Sequence, residues 1–174
     1  MIKGKKITLR PLEREDWKKT IVWRNNISIK KLAMMHPFPI TEMNELGWYE
    51  ELLKSKSDKN LFFAIVNENS ETIGFISLNN INRTNRNCYL SIVIGDENNQ
   101  GKGYGKEAME IILDYAFKTL NLIKVSLEVN SSNEKAINLY KKLSFIEEGR
   151  LKRHFFSDRI YHDVLILSCF RSEK

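Results

Sequence analysis

A glycine-rich stretch at residues 100–105 places the strongest constraint on how this chain folds. Its residues, in order, are Gln100, Gly101, Lys102, Gly103, Tyr104 and Gly105. It follows an apolar run at residues 88–94 that predicts a strand, and it precedes a predicted helix at residues 106–120. A strand, a glycine turn and a helix leave free backbone N–H groups at the positive end of the helix dipole. This order predicts an anion site, most typically for phosphate, and Lys102 and Lys106 add full positive charges.

The spacing of the glycines distinguishes among the known phosphate-binding loops. The dinucleotide fingerprint G-x-G-x-x-G, counted from Gly101, requires a third glycine where Lys106 stands. The P-loop G-x-x-x-x-G-K-[ST] requires glycine at position 100 and Ser or Thr at position 107, where the chain has Gln and Glu. The pattern that remains is Q-x-x-G-x-G. An ordinary glycine-rich turn is the alternative at this point.

The remaining hydrophobic periodicity predicts one α/β domain that covers residues 1–174. Parallel pairing is expected between residues 88–94 and 124–129, because a helix connects them. The segment at residues 79–87, rich in Asn, predicts a loop. The predicted strands are residues 6–10, 61–66, 72–78, 88–94, 124–129, 145–156 and 160–170; the predicted helices are residues 11–24, a short piece at 28–35, one that starts at 41, and 106–120 and 134–143.

Composition narrows the class of protein. The chain has no apolar run near the roughly 18 residues of a membrane span, and its basic N-terminus leads into no signal-peptide core. Cys88 and Cys169 lie in apolar strand-like runs, which predicts buried free thiols in a cytoplasmic protein and neither a disulfide nor a metal site. The net charge of +6 fits a polyanionic cofactor or a solvated basic surface. A nucleic-acid partner is disfavoured, because the basic residues are spread along the chain without a run of five or six.

Residues 133–145, N-E-K-A-I-N-L-Y-K-K-L-S-F, form a second motif. Together with the glycine loop, it resembles the Q-x-x-G-x-G and N-x-x-A-x-x-x-Y-x-K-x-G-F stretches of the GCN5-related N-acetyltransferase (GNAT) superfamily. Ser144 stands where glycine is usual. The predicted order β-α-α-β-β-β-α-β-α-β-β is also similar to that superfamily, over about residues 6–170. Within it the chain looks most like ribosomal-protein N-acetyltransferases of the RimJ/RimL type and bacterial spermidine N-acetyltransferases.

This resemblance implies an α/β fold with a mixed sheet of about seven strands and about four helices. It implies an antiparallel N-terminal meander, a splayed parallel strand pair at the cofactor site and a C-terminal hairpin. The co-substrate would be acetyl-CoA, and Tyr140 would give a proton to the leaving thiolate. The coenzyme contacts would come from the backbone of Ile92, Val93 and Ile94, from the loop residues Gln100, Gly101, Lys102, Gly103, Tyr104, Gly105 and Lys106, and from Asn133 and Tyr140. The base that deprotonates the amine is not identified; Glu128 and a water chain are both open.

The amine acceptor is less constrained. Residues 27–41 contain no Asp or Glu, but they contain Lys30, Lys31 and His36. The spermidine enzymes carry acidic residues in this segment, and a polycation requires carboxylates around it. We therefore expect a protein N-terminus, an amino sugar or an amino acid as acceptor, in a pocket near residues 34–38. The alternatives are a polyamine acceptor, or a non-catalytic module that binds coenzyme A or RNA. Related enzymes form dimers or larger rings, so a homodimer or larger homo-oligomer is expected.

Overall fold

The computed structural model describes residues 1–54, 58–95 and 97–172. Its strands, in chain order, are β1 (Ile2–Lys3), β2 (Ile7–Pro11), β3 (Leu61–Asn67), β4 (Thr72–Asn82), β5 (Asn87–Ile94), β6 (Lys124–Asn130), β7 (Ile146–Ser157) and β8 (Ile160–Phe170). They form one sheet in the order β1-β2-β3-β4-β5-β6-β8-β7. The predicted mixed sheet is confirmed, with eight strands where about seven were predicted, because residues 2–3 add a short edge strand.

Helices cover both faces of the sheet. In the described part of the chain they are α1 (Trp17–Asn25), α2 (Ile27–Leu32), α3 (Glu42–Lys54), α4 (Tyr104–Asp114) and α5 (Glu134–Lys142). The hydrophobic periodicity predicted five helices, and the family resemblance implied about four. Short 3-10 turns span Arg14–Asp16 and Glu97–Asn99, and a π-helical turn, Tyr115–Thr119, follows α4. None of the helices in the described residues is long and apolar enough to span a bilayer.

Neighbouring residues of β3 show which helices cover which face. Phe62 contacts Trp48 of α3, whereas Phe63 contacts Tyr115 just after α4. Successive side chains of a strand point to opposite faces, so α3 and α4 lie on opposite sides of the sheet. Trp23 of α1 stacks on Phe75 of β4 and lies on the side of α3. We call the two sides of the sheet the α1/α3 face and the α4/α5 face. α5 lies on the same side as α4, because its Ile137 joins the same apolar cluster as the buried side of α4.

Buried ion pairs hold the first helices on the sheet. Glu45 is fully buried, and its carboxylate accepts from Arg24 at 2.6 Å and from Thr20 at 2.6 Å. Arg10 of β2 donates both Nη atoms to Asp16 at 2.7 and 2.8 Å. Burial raises the pKa of Asp16, but the bonds from Arg10 and the Glu13 amide outweigh it, and the net shift is downward. A buried carboxylate requires this compensation, which cannot be inferred from the apolar periodicity.

Two predicted boundaries were wrong. The helix expected from residue 11 starts at Trp17, because Pro11 still pairs with Phe63 and a 3-10 turn follows it. The loop expected at residues 79–87 is mostly strand, because β4 continues to Asn82 and pairs with β5 through Asn79 and Asn82. A bulge between these two pairs takes up Asn80, whose φ is 53°. Asn tolerates this conformation well, and here it forms a bulge within a strand and not the expected loop.

The motif position where glycine is usual has a left-handed backbone. Ser144 follows α5, and its φ is 64°. Its N–H donates to Lys141 O at 3.1 Å, as in the turn that ends many helices. Only glycine adopts this region without steric cost, so Ser144 is a strained substitution.

We therefore expect Ser144→Gly to raise the free energy of unfolding by about 1 kcal/mol, because the strain is removed. Urea unfolding followed by circular dichroism measures this change. Ser132→Gly is the matched control, since the φ of Ser132 is not positive and its hydroxyl donates to Asn130. The control should lose stability. A destabilised Ser144→Gly protein would contradict the assignment of strain.

Candidate active site

The glycine loop presents backbone donors at the start of α4. Gly101 and Gly103 have φ of 77° and 89°, and Gly103 occupies the N-cap of α4 without a side-chain cap. The N–H groups of Tyr104, Gly105 and Lys106 have no acceptor among the residues that the structure describes. A Cβ atom built on Gly101 or Gly103 would meet no atom within 4 Å. The loop therefore turns free donors outward, as an anion site requires.

Tyr104 anchors the loop through its side chain. It is 5% exposed, and its hydroxyl donates to Glu68 Oε1 at 3.0 Å on the turn between β3 and β4. Desolvation, then the Glu68 carboxylate, raises the pKa of Tyr104. A hydrogen bond from its own backbone, the Tyr104 hydroxyl, and the charges of Lys6 and Lys102 lower the pKa of Glu68. Tyr104 thus offers a ligand only its backbone N–H, while its ring holds the first turn of α4 in place.

A basic surface borders the loop. A cavity of about 680 Å³ runs between α4 and the N-terminal segment, and Gly103 is one of its lining residues. Glu107 accepts from the N–H groups of both Lys5 and Lys6, which holds that segment against the helix. The lysines that line the cavity are Lys3, Lys5, Lys6, Lys102 and Lys106. Glu107, Glu110 and Asp114 also line the cavity, so its five lysines and three carboxylates leave a net charge of +2 beside the anion site, where a polyanionic cofactor would bind.

β5 and β6 separate next to this loop. They pair in parallel only at Asn87–Lys124, Cys88–Val125 and Tyr89–Ser126. Beyond Tyr89, the main chain of β5 that faces β6 has no strand partner within the described ranges. Ile92, Val93 and Ile94 lie in this part and pair with β4 on their other side. The split leaves peptide groups exposed to a ligand between the strands, which is the splayed pair expected at the cofactor site.

Close packing holds β5 against β4 at the split. A Cβ on Gly74 would lie 2.2 Å from Val93 O, so only glycine allows this approach. A Cβ on Gly95 would lie 2.0 Å from the Trp23 ring, which covers the end of β5. These two glycines have negative or extended φ, and no sequence motif marks them. Sequence analysis missed them because their role is steric and depends on distant residues.

The second motif forms α5 on the α4/α5 face. Asn133 caps the helix, since its Oδ1 accepts from the Ala136 N–H at 3.1 Å. Tyr140 is half-buried against the main apolar cluster, which Ile92 and Ile94 also join, and its ring lies 5.8 Å from that of Phe145. Burial raises the pKa of Tyr140 to about 12. The structure thus places the phenol, still protonated, over the same cluster as the split part of β5.

The α1/α3 face forms the other side of the split. Trp23, Ile29 and Val93 form a small buried cluster there, with Met35 and Phe75 packed against it. Lys30 is 7% exposed and donates to Phe38 O at 2.5 Å, which holds the segment after α2. Phe38 itself is 72% exposed. Of the predicted pocket at residues 34–38, Met35 therefore packs at the split, whereas Phe38 points to solvent.

Two charged residues on this side lie far apart in sequence. Lys31 Nζ lies 2.5 Å from Asp158 Oδ1, across 127 positions. Asp158 is in the turn between β7 and β8, so the ion pair joins α2 to the tip of the C-terminal hairpin. Nothing in the sequence indicated the contact between Lys31 and Asp158.

Glu128 of β6 is exposed, and its neighbours Leu127 and Val129 face the α4/α5 side, so Glu128 faces the α1/α3 side.

A free amide loop at a helix N-terminus, two separating parallel strands and a half-buried phenol together make the arrangement of an acyltransferase with an acyl-CoA donor. The chain belongs to the GNAT acetyltransferase family, since the model for the "Acetyltransferase (GNAT) domain" matches residues 6–146. It is an N-acetyltransferase that uses acetyl-CoA as co-substrate.

Individual relatives are similar over almost the whole chain. The spermidine N(1)-acetyltransferase of Escherichia coli (strain K12) is 33% identical over 168 residues, which cover 96% of this chain and 87% of that protein. The structure of the Vibrio cholerae spermidine N-acetyltransferase in complex with CoA and spermine has a TM-score of 0.87 at 30% identity, covering 94% of this chain and 95% of that one. A dodecameric structure of the V. cholerae enzyme has a TM-score of 0.77 at 29% identity and covers 94% and 93% of the two chains.

Substitution of Gly103 tests the anion site. We expect Gly103→Ala to raise the acetyl-CoA dissociation constant by about tenfold or more, because alanine strains a φ of 89° and its methyl group enters the space beside the free amides. Isothermal titration calorimetry measures the constant. Gly47→Ala is the control, since a Cβ there meets nothing within 4 Å in the middle of α3. Equal affinities in the two variants would contradict the site.

Proposed function

We propose that this enzyme transfers acetyl directly from acetyl-CoA to the primary amine of a protein N-terminus, an amino sugar or an amino acid. The observation that carries the proposal is the separation of β5 and β6 beside a helix N-terminus with free amides. In the proposal, the gap between these two strands serves as one opening that connects the α4/α5 face with the α1/α3 face. The donor would enter from the first side and the amine from the second, so that no covalent enzyme intermediate is needed.

The donor contacts follow from the groups that lack protein partners. The backbone N–H groups of Gln100, Gly101, Lys102, Gly103, Tyr104, Gly105 and Lys106 would bind the pyrophosphate. The free peptide groups of Ile92, Val93 and Ile94 would hold the pantetheine arm and stabilise negative charge on the thioester oxygen. Asn133 already caps α5, and the second lone pair of its amide oxygen is available to the coenzyme. Acetyl-CoA supplies an activated acyl group, and these residues orient it.

Tyr140 is proposed to donate a hydrogen bond to the departing sulfur. With its pKa raised to about 12, the phenol is protonated over the whole physiological range. A thiol has a pKa of about 8.5, so full proton transfer from Tyr140 to the thiolate is uphill. The phenol therefore stabilises the leaving group mainly as a hydrogen-bond donor, and the released proton of the amine restores the thiol.

The base for the amine is proposed to act from the α1/α3 face. Glu128 is an exposed carboxylate on that face of β6, and a carboxylate there can accept the amine proton directly or through water. No His of the chain has a carboxylate partner among the described residues. Glu128 and a water chain therefore both remain in the proposal.

A polyamine is the second candidate acceptor. The similarity to spermidine N-acetyltransferases, one of them in complex with spermine, supports it. The composition of the α1/α3 side supports the first candidate, because residues 27–41 lack carboxylates and Lys30 is a buried cation there. A polycation close to Lys30 and Lys31 is disfavoured electrostatically.

We further propose that residues 1–174 act as one cytoplasmic domain that self-associates. One sheet that runs from Ile2 to Phe170 supports the single domain, and the buried free thiols of Cys88 and Cys169 support the reducing compartment. The dodecameric relative supports self-association, and so do Tyr89, Ile146 and Phe170, which are 43%, 58% and 46% exposed. A monomeric mass by light scattering would contradict self-association.

A panel of amines tests the acceptor. Purified enzyme with acetyl-CoA should release free thiol with at least one of a peptide N-terminus, an amino sugar and an amino acid, faster than with spermidine. An RNA-binding module would release none, and its RNA affinity would fall steeply with salt. A higher kcat/KM for spermidine than for every other amine would establish the second candidate and contradict the first.

Tyr140→Phe tests the leaving-group role. We expect kcat to fall about 100-fold while the acetyl-CoA dissociation constant changes little, because the ring and its packing on Phe145 remain. Because the pKa of Tyr140 is about 12, ionisation of its hydroxyl should cause no loss of rate in the wild type between pH 6 and 10. The ratio of the wild-type rate to the variant rate should therefore stay constant over that range. Unchanged turnover in the variant would contradict the assignment.

A further inference from the structure

The opening on the α1/α3 side is bordered by α2 and by the tip of the C-terminal hairpin. Ile29 of α2 packs on Val93, in the part of β5 that has left β6. β8 pairs with β6 only as far as Val164–Asn130, so residues 157–160 of the hairpin extend beyond the end of β6. These two elements therefore stand on either side of the split where an acceptor would enter.

The Lys31–Asp158 ion pair joins these two elements. The Nζ and Oδ1 atoms are 2.5 Å apart, and the side chains are 40% and 62% exposed. The pair brings a cation to the opening and at the same time neutralises a carboxylate that could bind a cation. Other carboxylates on this side are also matched: Glu45 with Arg24 at 2.6 Å, and Glu148 with Lys124 at 2.6 Å.

These contacts leave little negative charge for a long cation. A polyamine carries several ammonium groups along a flexible chain, and carboxylates that are not already paired are their strongest partners. In the described residues around the opening, Glu128 is a carboxylate that forms no ion pair. One carboxylate is enough for the single amine that reacts, but it leaves the remaining charges of a polyamine unmatched.

We propose that the Lys31–Asp158 pair is a specificity determinant that excludes polyamines and admits acceptors with one amine. This inference rests on the proposed function, since it concerns the acceptor side of the same site. Removal of Lys31 deletes the repelling cation and frees Asp158, so one substitution changes the local charge by one unit and exposes a new anion. The effect acts on acceptor binding and leaves the donor loop on the opposite face unchanged.

Spermine binding to the protein saturated with CoA provides the test, because it does not depend on turnover. At low salt we expect Lys31→Ala to bind spermine about tenfold more tightly than the wild type, and the gain to shrink as salt is added. The double variant Lys31→Ala/Asp158→Asn should return to the wild-type affinity, because the freed carboxylate is gone. Melting temperatures of all variants confirm that each is folded.

Lys118→Ala is the matched control. Lys118 pairs with Asp114 at 2.6 Å beside α4, so this variant makes the same change of net charge and frees a carboxylate on the opposite face. We expect its spermine affinity to equal that of the wild type. An equal gain in both variants would mean that net charge alone attracts spermine, and would overturn the proposal. Equal spermine affinity for the wild type and Lys31→Ala, including no detectable binding to either, would also overturn it.

Turnover separates this inference from the proposed function. With a spermidine substrate, the ratio of kcat/KM for Lys31→Ala to that for the wild type should be about 10, whereas for an amine with a single positive charge it should stay near 1. An equal change for both acceptors would overturn the inference and leave the acetyltransferase function intact. A wild type that releases no thiol with any amine would contradict the proposed function, and the spermine affinities would still decide the role of the ion pair.

Discussion

The separation of β5 from β6 is the constraint on which the rest of the structure depends. An unpaired strand edge inside a sheet exposes peptide groups, which is costly unless each strand is secured elsewhere. Here β5 keeps seven registered pairs with β4, and β6 keeps seven with β8. Gly74 lets β4 approach Val93 closely, which fixes β5 in place. The split is therefore a rigid opening between two well-paired halves of one sheet, with peptide groups that a thioester can use.

The two faces of the sheet divide the chemistry at this opening. On the α4/α5 face the amides beside Gly103, nearby lysines and the phenol of Tyr140 suit a polyanionic donor and its leaving thiolate. On the α1/α3 face the carboxylates of Glu45, Glu148 and Asp158 are paired, so they contribute little net negative charge. In our proposal, the Lys31–Asp158 pair on that face decides how strongly a polycation is disfavoured. Donor binding is shared by the family, whereas acceptor choice, in our proposal, depends on a few charges at the entrance.

The part of the site that could be predicted consists of residues close together in sequence. The loop at residues 100–105 and the helix from Glu134 were recognisable because a turn, an N-terminus and a cap depend on neighbouring residues. Ser144 was recognisable as a departure, and its φ of 64° explains why glycine is usual there. Where local signals competed with pairing, prediction failed: Pro11 extended a strand instead of opening a helix, and Asn80 formed a bulge instead of a loop. In both cases hydrogen bonds to a neighbouring strand outweighed the local preference.

The amino-acid order by itself determined the fold class, the family, the glycine turn at a helix N-terminus and the helix that carries Tyr140, because these depend on periodicity and on spacings within a single turn. The tertiary structure decided where β5 and β6 separate, which glycines are required by close contact, and which carboxylates remain unpaired. Those properties depend on residues far apart in the chain, such as Lys31 and Asp158, which lie 127 positions apart. Electrostatic pairing acts over a few ångströms of space regardless of sequence separation, so only the folded chain reveals which charges are left for a substrate.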